Sequence, residues 1–362
     1  MKKILVTLAV AGVLATPAAM ADTSNVEVYG QMNLSLDLVK SGAPVGSVSA
    51  NQVNTNESRL GFKGSEKLDN GLSAIFQIES SIAADTGTGS TLAGRNSFGG
   101  LKSDSAGALT FGYHDTPYKA ATRGLDVFGG GIADNRSLMG QGGVTQQDRR
   151  VKNSINYMSP AMSGFSISAN YSAGGEDAAA STDTKGKVTS IAAMYDMAPF
   201  YATIAQQKET FGTALTGTSA GTVGDSDKAF KVGGSFKMDM FAVNVVIENT
   251  NFTAGATSTK ARNLYLAGQY NISSNNAVKL AITQAGDMKA NGATVLNSGA
   301  RQLSLGYDHM MSKRTTVYAL YTKLSNEAGA NYALKGDTSG GPANGGANAD
   351  PTAISLGMKH SF

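Results

Sequence analysis

The chain has no cysteine and no tryptophan, only 7 prolines and 3 histidines, and no long apolar run beyond its first 21 residues. Without cysteine there can be no disulfide staples, no thiolate metal site and no thiol nucleophile. Three histidines leave little for a histidine-rich metal centre, so no metal and no cofactor are expected. The missing apolar run excludes membrane-spanning helices, which need about 20 such residues. If the protein sits in a membrane it must therefore be a closed barrel, since only helices and closed barrels satisfy every backbone group in lipid. What the chain has in quantity is glycine, 44 of 362 residues, a mix that suits strands and loops better than helices.

The amino terminus reads Met1-Lys2-Lys3, an apolar run from Ile4 to Leu14, then Ala19-Met20-Ala21. This is the pattern of a secretory signal peptide over residues 1–21, with the mature chain starting at Asp22. Its removal takes away Lys2 and Lys3 and leaves 28 basic against 27 acidic side chains. So even a balance lacks the basic excess of a nucleic-acid-binding surface, and no nucleic-acid partner is expected.

The dominant signal is period 2. Val26, Val28, Met32, Leu34, Leu36 and Leu38 alternate with Glu27, Gln31, Asn33, Ser35 and Asp37, and successive side chains on a strand point to opposite faces. The same pattern recurs in Phe165-Ile167-Ala169-Tyr171, Leu264-Leu266-Tyr270 and Leu303-Leu305-Tyr307. Segments of about ten alternating residues, broken by glycine, asparagine, aspartate or serine, mark a transmembrane barrel. Sixteen candidate strands run from 26–39 to 353–362; those at 200–208 and 315–324 alternate poorly, which leaves fourteen or eighteen open. Connections such as Asp69-Asn70-Gly71 and Ser312-Lys313-Arg314 are short, whereas 40–57, 209–227 and 325–352 are long. The tract Gly340-Gly341-Pro342 to Gly345-Gly346 reads as a mobile external loop. A periplasmic β-sandwich would alternate too, but it would not need so many hairpin-linked strands in one continuous meander.

Five stretches carry a family likeness: Ser58-Arg59-Leu60-Gly61-Phe62-Lys63-Gly64-Ser65-Glu66, Gly71-Leu72-Ser73-Ala74-Ile75-Phe76-Gln77-Ile78-Glu79-Ser80, Gly94-Arg95-Asn96-Ser97-Phe98-Gly99-Gly100-Leu101, Gly107-Ala108-Leu109-Thr110-Phe111-Gly112 and Asn153-Ser154-Ile155-Asn156-Tyr157-Met158-Ser159-Pro160. With them the chain resembles the Gram-negative general diffusion porins, in their beta-proteobacterial and neisserial branch. The resemblance runs from Val26 to the carboxyl end. It implies an all-β fold, a transmembrane antiparallel barrel of about sixteen strands in the outer membrane, passing ions and small hydrophilic solutes passively. It also implies a homotrimer among outer-membrane lipid and lipopolysaccharide, and recognition of the terminal Phe362 by the barrel-assembly machinery. In such porins a long third external loop folds into the lumen and narrows it; here residues 115–150 take that place, about 35 residues with no strand pattern.

The family sets acids on the inward loop against bases on the facing wall, where screening over about 8–10 Å still lets fixed charges filter ions. By that likeness Asp126 and Asp134 are the loop acids, with Asp126 in Leu125-Asp126-Val127-Phe128-Gly129, and Arg59, Lys63, Arg95, Arg149 and Arg150 are the wall bases. Arg59 and Lys63 also share the parity opposite to Leu60 and Phe62, which turns them inward if those two meet lipid. The bland reading of each is a rim or surface charge. Tyr113 and Asn156 stand where relatives often carry arginine, so the wall is less basic and only a weak anion preference is expected. An outer-membrane hydrolase would need a histidine beside an activated serine, and His114, His309 and His360 lie in no such motif; no enzyme is expected. A channel specific for sugars or phosphates would show an aromatic track or a basic ladder, and Tyr29, Tyr118 and Tyr265 form no readable series.

Overall fold

The computed structural model describes residues 25–88, 91–140, 146–173, 186–212, 224–335 and 346–362. The expected signal peptide and the glycine tract 340–345 lie outside the described residues. Nineteen extended segments form one antiparallel sheet. Two of them, Lys289–Ala290 and Ala293–Thr294, make a small hairpin in a loop, and two others form one broken stave, so sixteen strands build the wall.

In chain order these are β1 (Asn25–Lys40), β2 (Ser49–Thr55 continuing as Arg59–Lys67), β3 (Leu72–Ser81), β4 (Ser97–Ser103), β5 (Gly107–Asp115), β6 (Arg150–Met158), β7 (Phe165–Ser172) and β8 (Lys187–Met197). They continue as β9 (Phe200–Thr210), β10 (Ser226–Lys237), β11 (Phe241–Ala254), β12 (Thr257–Ser273), β13 (Asn276–Ala285), β14 (Ala300–Met310), β15 (Thr315–Asn326) and β16 (Thr352–Ser361). The sheet closes where β1 meets β16, from Gln31 opposite Ser361 to Lys40 opposite Thr352. Phe362 finishes the seam: its N–H donates to the Gly30 carbonyl at 3.1 Å and its carbonyl accepts from the Gly30 N–H at 3.0 Å. Closure leaves no exposed edge, which hydrocarbon demands.

The alternation has the physical sense expected of it. On β16, Ile354, Leu356 and Met358 are exposed on the outside while Ala353 and Ser355 are buried inside; on β12, Leu264 and Leu266 face out and Asn263 and Tyr265 face in. Long loops gather at one end and tight turns at the other, with the start of β1 and the end of β16 at the tight-turn end, as in barrels whose longer loops are extracellular.

The break in β2 sits at Asn56, Glu57 and Ser58, where Glu57 takes a φ of +55°. Ser58 bridges the gap, its Oγ accepting from the Asn33 N–H at 2.9 Å and donating to the Asn33 carbonyl at 3.1 Å. The upper half of β2, Ser49–Thr55, falls inside the stretch 40–57 expected to be a loop; it is paired to β1 from Leu34–Thr55 to Lys40–Ser49. The two poorly alternating segments are true strands, β9 and β15. Their inward faces carry Tyr201 and Ala205, and Leu320 and Leu324, because something apolar packs against them from inside.

Candidate functional site

That something is the segment between β5 and β6, whose described residues are 116–140 and 146–149. It opens with a short helix, α1 (Pro117–Arg123), whose Thr116 cap accepts from the Lys119 N–H at 3.3 Å and whose first position is the proline that helix starts favour. Its contacts are with inward-facing wall residues. The Tyr118 N–H donates to Ser190 Oγ at 2.9 Å, Tyr201 donates its hydroxyl to the Ala121 carbonyl at 2.5 Å, and Asn244 donates to the Leu125 carbonyl at 2.8 Å. The Val127 N–H donates to Tyr265 Oη at 3.0 Å, and farther on the Gly140 N–H donates to Glu248 at 2.5 Å.

Apolar packing joins these bonds. Leu125, Phe128, Ala133 and Met139 bury against Val246, Tyr265, Ala267 and Ala281, and Ile132 and Leu138 against Val39, Ala300 and Leu324. Two wall glycines make room. A Cβ on Gly233 would lie 2.9 Å from both Leu125 and Thr122, and one on Gly306 would lie 2.6 Å from the Phe128 ring. The segment thus lies inside the barrel, held to the inner wall of β8 to β15.

The segment's own charges knit it together. Asp134 takes Arg123 at 2.6 Å and Arg136 at 2.8 Å, and Arg136 also reaches Glu57, at the β2 break, at 2.6 Å. Asp126 accepts from Tyr265 Oη and the Phe128 N–H, both at 3.0 Å, and from the Asn135 N–H at 2.9 Å. Burial, with the Asp134 charge beside it, pushes Asp126 up to about 6 against the pull of Arg123. Burial would raise Asp134 as well, but Arg123 and Arg136 outweigh it and hold Asp134 well below the usual carboxylate range. Neither carboxylate meets water as the sequence reading had them do: their side chains are 1% and 0% exposed. They serve as internal braces because each satisfies backbone N–H groups that a loop inside a barrel would otherwise leave unpaired.

The wall bases divide. Arg59 and Arg95 come together on one carboxylate, Glu79, at 3.6 and 2.5 Å, and Tyr29 donates to the same group at 3.0 Å. Lys63 stands apart, paired with Glu27 at 3.2 Å where both are half exposed. Arg149 pairs with the buried Glu209, and Arg150 meets Asp115 at 3.0 Å, where Lys119 also binds at 2.7 Å. Sequence reasoning missed Glu57, Arg123 and Arg136, and it missed Lys279 and Lys359. The last two carry inward parity beside Leu280 and Met358, so the alternation itself could have found them.

Lys279 and Lys359, with Lys313, Arg314 and Asp308, line a cavity of about 330 Å³ between the wall and Val127, Phe128 and Gly129 at the tip of the inner segment. Lys279 is tied to Asp308 at 2.7 Å and lies 5.2 Å from the centre of the Phe128 ring. The three histidines are held by neutral partners: His114 by Thr110 at 3.1 Å and stacked on Phe98, His309 by Asn276 at 2.8 Å, and His360 by Thr315 at 2.9 Å.

An apolar outer belt, a polar inner wall and a charged segment folded inside describe a water-filled membrane pore. The chain belongs to the Gram-negative porin family, whose model matches residues 7–329. It is 27% identical to outer membrane porin protein 32 of Delftia acidovorans and 28% identical to the major outer membrane protein P.IB of Neisseria sicca, each over the full length of both chains. Among solved structures, the anion-selective porin from Comamonas acidovorans superposes with a TM-score of 0.78 at 22% identity, covering 94% of this chain and 100% of that one. The trimer form of OmpT from Vibrio cholerae gives 0.66 at 16%, covering 94% and 100%. The protein is therefore an outer-membrane porin of a Gram-negative bacterium, a channel for passive diffusion of ions and small hydrophilic solutes.

Proposed function

We propose that residues 116–149 narrow the lumen and that the pore prefers anions mildly. The observation that carries this is the charge of the cavity at the segment's tip, where Lys279, Lys313, Arg314 and Lys359 face the single carboxylate of Asp308. On the first strands, Arg59 and Arg95 share Glu79, a further local excess of positive charge, here of one. Fixed charges a few ångströms from an ion's path act before water and salt screen them. The segment's own acids, Asp126 and Asp134, pair with Arg123 and Arg136 inside it.

Assembly as a trimer, and recognition of Phe362 by the assembly machinery, belong to this proposal through the family. The test is the zero-current potential of the reconstituted protein across a KCl gradient. Anion preference predicts the sign set by chloride leading; a potential of the opposite sign overturns the proposal.

A further inference from the structure

The cavity at the tip of the inner segment carries more than charge, and the register of the wall behind it gives the layout. Inward positions of β13 to β16 fall in three lateral rows. In the first, Lys279 stands opposite Gly306, Gly306 opposite Leu320, and Leu320 opposite Ser355. Two residues nearer the tight turns, Asp308 stands opposite Tyr318 and Tyr318 opposite Gly357. Two further on, Thr316 stands opposite Lys359 and Lys359 opposite Asn33 of β1, with Lys313 and Arg314 in the adjoining turn. The bases therefore stand at the borders, and Leu320 and Tyr318 occupy the middle.

Two glycines admit aromatic rings to this patch. A Cβ on Gly306 would press on the Phe128 ring, and one on Gly357 would collide with the Tyr318 ring. Tyr318 is fixed at its hydroxyl, which donates to Asn33 Oδ1 at 3.0 Å and accepts from Asn56 Nδ2 at 3.2 Å. With Val127, these side chains line the cavity as an aromatic and aliphatic bed. The charge beside the bed is not neutralised. Lys279 is tied to Asp308 at 2.7 Å, but among the described residues no ion pair includes Lys313, Arg314 or Lys359. The inner segment brings no acid to the site, since Asp126 is turned to Tyr265 and the Asn135 N–H, and Asp134 to Arg123 and Arg136.

A chloride ion would use the bases and gain nothing from the bed. A solute with an anionic end and an apolar body uses both, which is the usual division of labour in a small-molecule site. The bed favours a ring over a chain, because aromatic pairs gain about 0.5–1.5 kcal/mol beyond the area they bury. Lys279, already 5.2 Å from the centre of the Phe128 ring, also stands where a cation can meet a second ring. A volume of about 330 Å³ lies at the low end of the roughly 300–1,000 Å³ of such sites and suits one ring rather than several. We propose that this cavity binds small aromatic carboxylates, single-ring acids of the benzoate class. Their carboxylate would pair with Arg314, Lys313 and Lys359 by charge-assisted hydrogen bonds, and their ring would lie against Phe128 and Tyr318. The inference rests on the reading of the tip cavity as part of an anion-preferring path.

The test records open-channel current of the reconstituted full chain at fixed KCl while benzoate, hexanoate, acetate or benzyl alcohol is added. Acetate keeps the charge without the ring, hexanoate replaces the ring by a chain, and benzyl alcohol keeps the ring without the charge. Benzoate should reduce the current at about tenfold lower concentration than acetate and about threefold lower than hexanoate, and benzyl alcohol should have no effect in that range. Lys313→Gln with Lys359→Gln should raise the benzoate concentration needed about fivefold, and Phe128→Leu should let hexanoate match benzoate. The four probes are compared on the parent chain, so the result stands whether or not a variant folds. Benzoate no more effective than acetate, hexanoate equal to benzoate on the parent chain, or benzyl alcohol equal to benzoate overturns the proposal. The zero-current potential across a KCl gradient is taken on the same channels: chloride leading without a benzoate preference overturns this inference alone, and potassium leading overturns the ion-preference reading with it.

Discussion

Lys359→Glu offers a quantitative handle on the pore. Lys359 faces inward from β16 and lines the cavity beside the tip of the inner segment, without an ion-pair partner among the described residues. A unit charge about 5 Å from an ion's path, in water and screened at physiological salt, alters a monovalent ion's energy by about 0.4 kcal/mol; at about 10 Å it alters it by about 0.1 kcal/mol. The substitution changes the local charge by two, and it acts in opposite senses on chloride and potassium. The permeability ratio should therefore fall by a factor between about 2 and about 20, at roughly 1.4 kcal/mol per tenfold. Reversal potentials of parent and variant in the same KCl gradient measure this directly, and raising the salt should shrink the difference. A ratio unchanged in a variant of normal conductance would refute the placement of Lys359 on the ion path.

Other consequences follow from how the inner segment is held. Arg136→Ala strips Asp134 and Glu57 of a partner whose side chain is only 10% exposed, and breaking a buried pair this way costs about 3–5 kcal/mol. The cost should fall on docking of the segment: open-channel noise rises, while the heat-modifiable gel shift of the whole barrel is kept. Asp126, raised to about 6, loses its charge as pH falls from 7.5 to 5, whereas Asp134 stays ionised. Anion preference should therefore grow over that window. Because the folded value lies above an ordinary carboxylate's, this group's contribution to docking is complete at low pH and is lost as pH rises through about 6. Asp126→Asn should flatten the pH dependence of the reversal potential between 5 and 7.5; a step that persists would assign the titration elsewhere.

The barrel was legible because lipid enforces a rule on every strand, and Leu264, Leu266, Leu303 and Leu305 obey it. The rule weakened in two kinds of place. In Ser49–Thr55 the alternation fades because this half-strand stands at the long-loop end, toward the aqueous rim, where both faces can be polar. In β9 and β15 it is blurred from inside, because Tyr201, Ala205, Leu320 and Leu324 pack on the inner segment and turn the lumenal face apolar. The segment itself was visible as a long patternless stretch, but the roles of its charges were not. Asp126 and Asp134 look like pore acids until Arg123, Arg136 and Glu57 are seen around them, and Glu57 comes from a strand break that leaves no periodic signal. Parity marks Lys279 and Lys359 as inward, but neither lies in a stretch that carries the family likeness, so the likeness does not single them out.

The central claim, that ions pass the tip of the inner segment beside the lysine-lined cavity, can be tested at Gly129. This residue is exposed at the tip, and the chain has no cysteine of its own, so Gly129→Cys gives a single reactive thiol. Single-channel currents would be recorded while methanethiosulfonate reagents of similar size and opposite charge are added. The account predicts a stepwise loss of current with either reagent, and reversal potentials moved toward cations by the anionic label and toward anions by the cationic one. Full labelling by mass spectrometry with current and reversal potential unchanged would contradict it.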